Sequence, residues 1–298
     1  MKNSNSISIE LEQAVLELGI PPCPRILLDL AAEGGKPEPD LQKIEKLISS
    51  DVGLSAALIK TVNSPFYGLR SKVHSIMQAI HMLGLANLSL MVTSMVLRKV
   101  LKAGHPLDME RFWDASTKVA IISAYITSRL PYISYEHMRR EIDKDQAYTY
   151  GLFQDCGIPI LLGLHANYKE TLKLANASED RKFTDIEEAV FAQNHASIGY
   201  VLAKSWGLPE TMVEAIRRHH EHVALADNTC RLDEASKDFI ALALLSEKAM
   251  QIISGLNLSS EWHKGGSWVM QHFGIDDAGF TTIVNGIRIL YQEGNLEI

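Results

Sequence analysis

Apolar residues recur at helical spacing along almost the whole chain, and period-two alternation is nearly absent. That pattern rules out sheet-based architectures and leaves a core made of packed helices. Ile9, Leu11, Val15 and Leu18 mark one amphipathic helix. Leu41, Ile44, Leu47 and Ile48 mark another, entered after Pro37 and Pro39 with Asp40 as its N-cap. Leu54, Ala57, Leu58 and Val62 form a third stripe, which Pro65 stops. "SIMQAIHMLG" ends on Gly84, a helix terminator, and the next run reaches Gly104.

"GHPLDM", residues 104–109, carries Gly and Pro without periodicity and is the expected boundary. Beyond it come helical runs at "RFWDASTKVAIISAYITSRL", "AYTYGLFQDCGIPILLGLH" and "YKETLKLAN". Thr184 and Glu187 read as a capping box. "ASIGYVLAKSWG" precedes Pro209, placed for the first turn of "PETMVEAIRRHH". Three more helices are expected around residues 235–254, 260–272 and 276–292. The expectation is an all-α chain of two helical subdomains, 1–104 and 105–298.

The formal charge of −7 argues against non-specific nucleic-acid binding by the whole surface. Cys23, Cys156 and Cys230 are scattered, odd in number and form no CxxC pair, as in a reducing compartment. "MKNSNSISIELEQ" has no apolar core of a signal peptide. The most apolar windows fall short of the ~18 apolar residues of a membrane span. A cytoplasmic location with no membrane contact is therefore expected.

Several motifs agree in order. "IPPCPRILLDL", "DVGLSAALIKTVNSPFYG" and "VHSIMQAIHMLGLANLSLMV" lie in the first half. "RFWDAS", "GLFQDCG" and "NHASIGYVLAKSWGLPETMVEAIRRHH" lie in the second. Together they resemble the HDOD module, the HD-related output domain of bacterial signalling proteins, over about three quarters of the chain. The resemblance implies an N-terminal helical bundle packed on a degenerate HD-type helical domain. It also makes Asn63, Ser64 and Gly68 of "NSPFYG" a characteristic structural motif.

The related HD and HD-GYP phosphohydrolases bind one or two metals through His residues, a His-Asp pair and a late Asp. Such a site needs several N and O ligands converging from different helices, with room left for water and substrate. Here the first His falls on Ala115, which cannot bind a metal, and the His of the pair falls on Gln154. Gln154, Asp155, His195, His219 and His220 are the vestigial pocket candidates, the last four of them weak metal ligands, with Glu247 near the late Asp. A buried Asp155 on an apolar helix face would need a partner. His219 and His220, about 100° apart on a helix, face one pocket only if the helix ends there.

The implied function is non-catalytic signal output by contact with other signalling proteins, with no cofactor. The alternatives are a divergent metal-dependent phosphohydrolase using Fe, Mn, Zn or Ni, or a module that holds a small nucleotide without cutting it. No P-loop, dinucleotide fingerprint or Ser-His-Asp motif appears.

Overall fold

A computed structural model describes residues 15, 18–64, 71–103, 109–134 and 142–292. The expected helix around Ile9–Leu18, together with Pro65 and Gly68, lies largely or wholly outside them. Helix accounts for 74% of the described residues and none of them lies in a strand, so the fold is all-α as expected. No single described helix is long and apolar enough to cross a membrane. The chain divides into two compact units, Pro21–Gly104 and a second comprising Met1–Ile20 with His105–Ile298.

In the Pro21–Gly104 unit the helices are α1 (Arg25–Gly34), α2 (Leu41–Ser49), α3 (Val52–Val62), α4 (Ile76–Leu83) and α5 (Leu85–Ala103). Their apolar stripes meet in a core that includes Leu30, Ile44, Ile48, Leu58, Leu88 and Val92. The Asp40, Asp51 and Ser75 side chains each accept from a first-turn backbone N–H, which closes the N-termini of α2, α3 and α4. Gly84 takes φ +78° after α4, a conformation costly for other residues. α3 ends at Val62, and the Asn63 amide then clamps Val73: it accepts from the Val73 N–H and donates to the Val73 C=O, both at 2.7 Å. That contact spans ten residues, so the first residue of the "NSP" motif has a structural role.

The second unit is built around three helices. α6 (Glu110–Thr127) and α15 (Glu234–Ser254) are buried on nearly all sides. α8 (Lys144–Phe153) crosses α6 where a methyl group on Gly151 would lie only 2.7 Å from the Ala120 Cα. Small residues at that crossing bring the start of α6 beside the end of α8. The Ser123 and Ser246 hydroxyls, 2.9 Å apart, join α6 to α15.

Around this frame lie α7 (Leu130–Ile133), α9 (Gly157–Leu164), α10 (Tyr168–Ala177), α11 (Phe183–Phe191) and α12 (His195–Ser205). They are followed by α13 (Glu210–Arg218), α14 (His222–Ala226), α16 (Glu261–Phe273) and α17 (Asp277–Gln292). The three expected C-terminal helices are found within about a residue or two at their ends. The one-turn helices α7 and α14 lack enough periodicity to be seen in sequence.

Two local expectations are corrected. Asp155 is not on a helix face: the run 147–165 breaks into α8 and α9, and residues 154–156 form the turn between them. Pro159 supplies the reason, because it has no N–H to donate to the C=O four residues back, which is that of Asp155. Ile158 N–H bonds to that carbonyl instead, at 2.9 Å. Nor do Thr184 and Glu187 form a capping box. α11 starts at Phe183, and buried Glu187 points inward to a histidine.

Candidate functional site

Asp155, His195, His219 and His220 come from three segments, and the fold brings them together. Their donor atoms all lie within 4.8 Å of one another. Asp155 is carried by the α8–α9 turn. His195 is the first residue of α12, behind the N-cap Asn194, whose side chain accepts from the Ser197 N–H at 2.7 Å. α13 stops at Arg218, so His219 and His220 leave the helix and both rings turn to the same side, 4.0 Å between centroids. The Phe183 ring stacks on His220 at 4.6 Å.

Each imidazole is held from behind. His195 Nδ1 faces both oxygens of Glu187 at 2.9 and 2.8 Å, and Glu187 also accepts from the His195 N–H and the Tyr168 hydroxyl. His219 Nδ1 faces the Ile216 C=O at 2.7 Å. His220 Nδ1 faces Glu261 Oε2 at 2.6 Å. Carbonyl and carboxylate oxygens only accept, so each Nδ1 carries a hydrogen and the three Nε2 atoms are left to point inward. His195 Nε2 lies 3.2 Å from His219 Nε2 and 3.1 Å from His220 Nε2. Asp155 Oδ1 stands 3.5 Å from the Nε2 atoms of His195 and His219.

Three inward lone pairs beside a carboxylate need positive charge among them. One source is a proton. Burial pushes the His195 imidazole down, but Glu187 and Asp155 outweigh it and raise it to about 10. Burial pushes His220 down to about 3, helped by the neighbouring His219. Burial also works against an ionised Asp155, yet its bonds to His195 and His219 hold the carboxyl well below the usual range. The other source is a metal cation. Three imidazole nitrogens and one carboxylate oxygen are a suitable donor set, and an acceptor behind each ring is the usual support for metal-ligating histidine.

The opposite half of the pocket has been rebuilt. Ala115 and Gln154 line a cavity of about 280 Å³ that also contains Asp155, Glu247, Asn176 and Ser259. It adjoins a cavity of about 90 Å³ lined by His219, His220 and Glu261, and Gln154, Asp155 and Glu247 are common to both. Gln154 donates its amide N–H to Glu247 Oε1 from 93 residues away, and more weakly to Asp155 Oδ2 at 3.4 Å. Burial, with the Asp155 charge next, pushes Glu247 up to about 8, so this half presents a neutral acid and an amide.

Of the motif residues, Asn63 and Ser64 belong to the other unit. Sequence reasoning passed over Glu187 and Glu261 as site residues. Glu187 looked like a local cap, and Glu261 lies 41 residues from the ring it holds.

A curated relative from Treponema pallidum (strain Nichols), an uncharacterised protein, is 25% identical over 244 residues. The match covers 79% of this chain and 43% of that one, so the chain spans less than half of its relative's length. The solved structure of an HDOD domain protein from Geobacter sulfurreducens is 22% identical over 97% of each chain, with a TM-score of 0.65. A protein from Shewanella amazonensis SB2B, named as a candidate phosphohydrolase, is 19% identical over 96% of each chain, with a TM-score of 0.64. A candidate signal transduction protein from Marinobacter aquaeolei VT8 is 19% identical over 96% of this chain and 61% of that one, with a TM-score of 0.62. At these identities the structural likeness speaks for the fold. The HDOD domain profile itself matches residues 20–222, more than half of the chain, and the chain belongs to the HDOD domain family.

Proposed function

We propose that this chain is a regulatory signalling module that does not hydrolyse phosphoesters and that keeps one cation site from the HD-type pocket. The observation that carries this reading is the asymmetry of the pocket. One side retains three inward imidazoles and Asp155; on the other, Ala115 offers no ligand and Gln154 is tied to Glu247. Asp155, His195, His219 and His220 would hold a single divalent cation of the Fe, Mn, Zn or Ni class. Such a cation supplies Lewis acidity toward a bound oxygen. Hydrolysis by a pair of cations clamping both the attacking and the leaving oxygen needs a second ligand set. The two missing imidazoles remove that set. Output then runs through contact with other signalling proteins; the Marinobacter structure is named as that of a candidate signal transduction protein.

The test is turnover. Chain loaded with Mn²⁺ or Fe²⁺ should leave cyclic dinucleotides, nucleoside phosphates and a generic phosphodiester uncut. Hydrolysis that vanishes in folded Asp155→Ala and His219→Ala variants would overturn the proposal and restore the phosphohydrolase alternative.

A further inference from the structure

Glu261 lies outside the segment that matches the family, which ends at residue 222. It is nevertheless built into the pocket. It is the first residue of α16, and the preceding Ser260 N–H donates to the Asn176 C=O at 2.8 Å, which anchors the helix start to α10. The carboxylate is buried and receives three donors. His220 Nδ1 and His222 Nε2 lie 2.6 and 2.8 Å from Oε2, and Lys264 Nζ lies 2.8 Å from Oε1. His222 is itself wedged: a methyl group on Gly265 would lie 2.8 Å from its Nδ1.

His220 has two ring nitrogens and two competing uses for them. With its hydrogen on Nδ1, the Nε2 lone pair joins those of His195 and His219. With the hydrogen on Nε2, the ring would aim a donor at the cluster centre and be lost as a ligand. An anionic acceptor 2.6 Å from Nδ1 decides between the two. We infer that Glu261 is the positioning residue that makes His220 a cation ligand, and that α16, beyond the family segment, is therefore an integral part of the metal site. This rests on the cation site proposed above. His195 has its own carboxylate in Glu187 and His219 has the Ile216 carbonyl, so loss of Glu261 should disable one ligand of the four.

The test uses the full chain stripped of metal with a chelator. Zn²⁺ affinity is measured by competition with a chromophoric chelator, and the histidine ring nitrogens are followed by ¹⁵N NMR in the metal-free protein. Glu261→Gln keeps the shape and removes the charge; Glu261→Met keeps the bulk and removes the acceptor. Affinity should fall by about 10-fold in the first and toward about 100-fold in the second, the range for lost outer-shell partners. The wild-type His220 ring should carry its hydrogen on Nδ1, and the variants should shift it toward Nε2 while the His195 ring stays as it was. Wild-type Zn²⁺ binding that Glu261→Gln leaves unchanged in a folded chain overturns the positioning role alone. A wild-type chain that binds no Zn²⁺ sinks the cation site and this inference with it. If neither variant folds, the wild-type spectrum decides: a hydrogen on His220 Nε2 overturns the proposal, and one on Nδ1 supports it.

Discussion

Gly157 opens α9 against the start of α12, and replacing it with alanine probes how tightly the pocket is framed. The added methyl would meet the His195 carbonyl oxygen at 2.0 Å, its carbon at 2.8 Å and the Gly199 nitrogen at 3.0 Å. All three are backbone atoms, so no side-chain rotation relieves the clash. Ordinary contact begins at 3.4 Å, so against 2.0 Å the helices must part by about 1.4 Å. Overpacking of a dense core costs ~1–3 kcal/mol, and a clash between two backbones belongs at the upper end. For a unit of this size each kcal/mol lowers the melting temperature by roughly 2–4 °C, so a drop of roughly 6–12 °C is expected. Asp155 lies two residues before the start of α9 and His195 begins α12, so the same separation should lengthen their 3.5 Å contact and weaken Zn²⁺ binding. Thermal unfolding by circular dichroism and a Zn²⁺ titration read the two effects. Gly34→Ala serves as the control: its methyl would lie 3.6 Å from Leu85 Cδ2, an ordinary contact. The gain in helix preference should leave that variant as stable as wild type or more so. A Gly157→Ala chain that melts and binds Zn²⁺ like wild type would refute the close approach of α9 and α12.

Three further outcomes are expected. Ala115→His with Gln154→His returns two imidazoles to a cavity that already holds Asp155 and Glu247, and should add a second bound divalent cation, measured by elemental analysis. Asn63→Ala strips both partners from the backbone of Val73, which is buried, and should destabilise the Pro21–Gly104 unit by ~1–3 kcal/mol in urea unfolding. Glu33 is held down to about 2 by hydrogen bonds from Lys36 and Lys43. Its folded value lies below the unfolded one, so its contribution is complete above the ordinary carboxylate range and disappears as pH falls through about 2. The stability gap between wild type and Glu33→Gln should therefore close between about pH 5 and pH 2; a gap independent of pH would refute the ion-pair account.

Features with local causes were legible in the sequence. Asp40 as a cap and Gly84 as a stop follow from neighbours within a few residues. The convergence of His219 and His220 was legible only as a condition, that the helix end there, and α13 meets it by stopping at Arg218. Asp155 was misplaced because its turn depends on a proline four residues ahead, inside a run whose apolar pattern continues unbroken. Glu187 was misread because "TDIE" has the form of a capping box, while its actual partners, Tyr168 and His195, are reached only by packing α10, α11 and α12 together. Glu247 and Glu261 meet Gln154 and His220 across 93 and 41 residues. Periodicity identifies the buried face of a helix but not the helix that lies opposite.

The number of cations bound by the metal-stripped chain tests the central claim most directly. Calorimetric titration with Zn²⁺ or Mn²⁺, checked by elemental analysis after dialysis, should give one per chain, lost in a folded His219→Ala variant. Two cations per chain, or none, would contradict it.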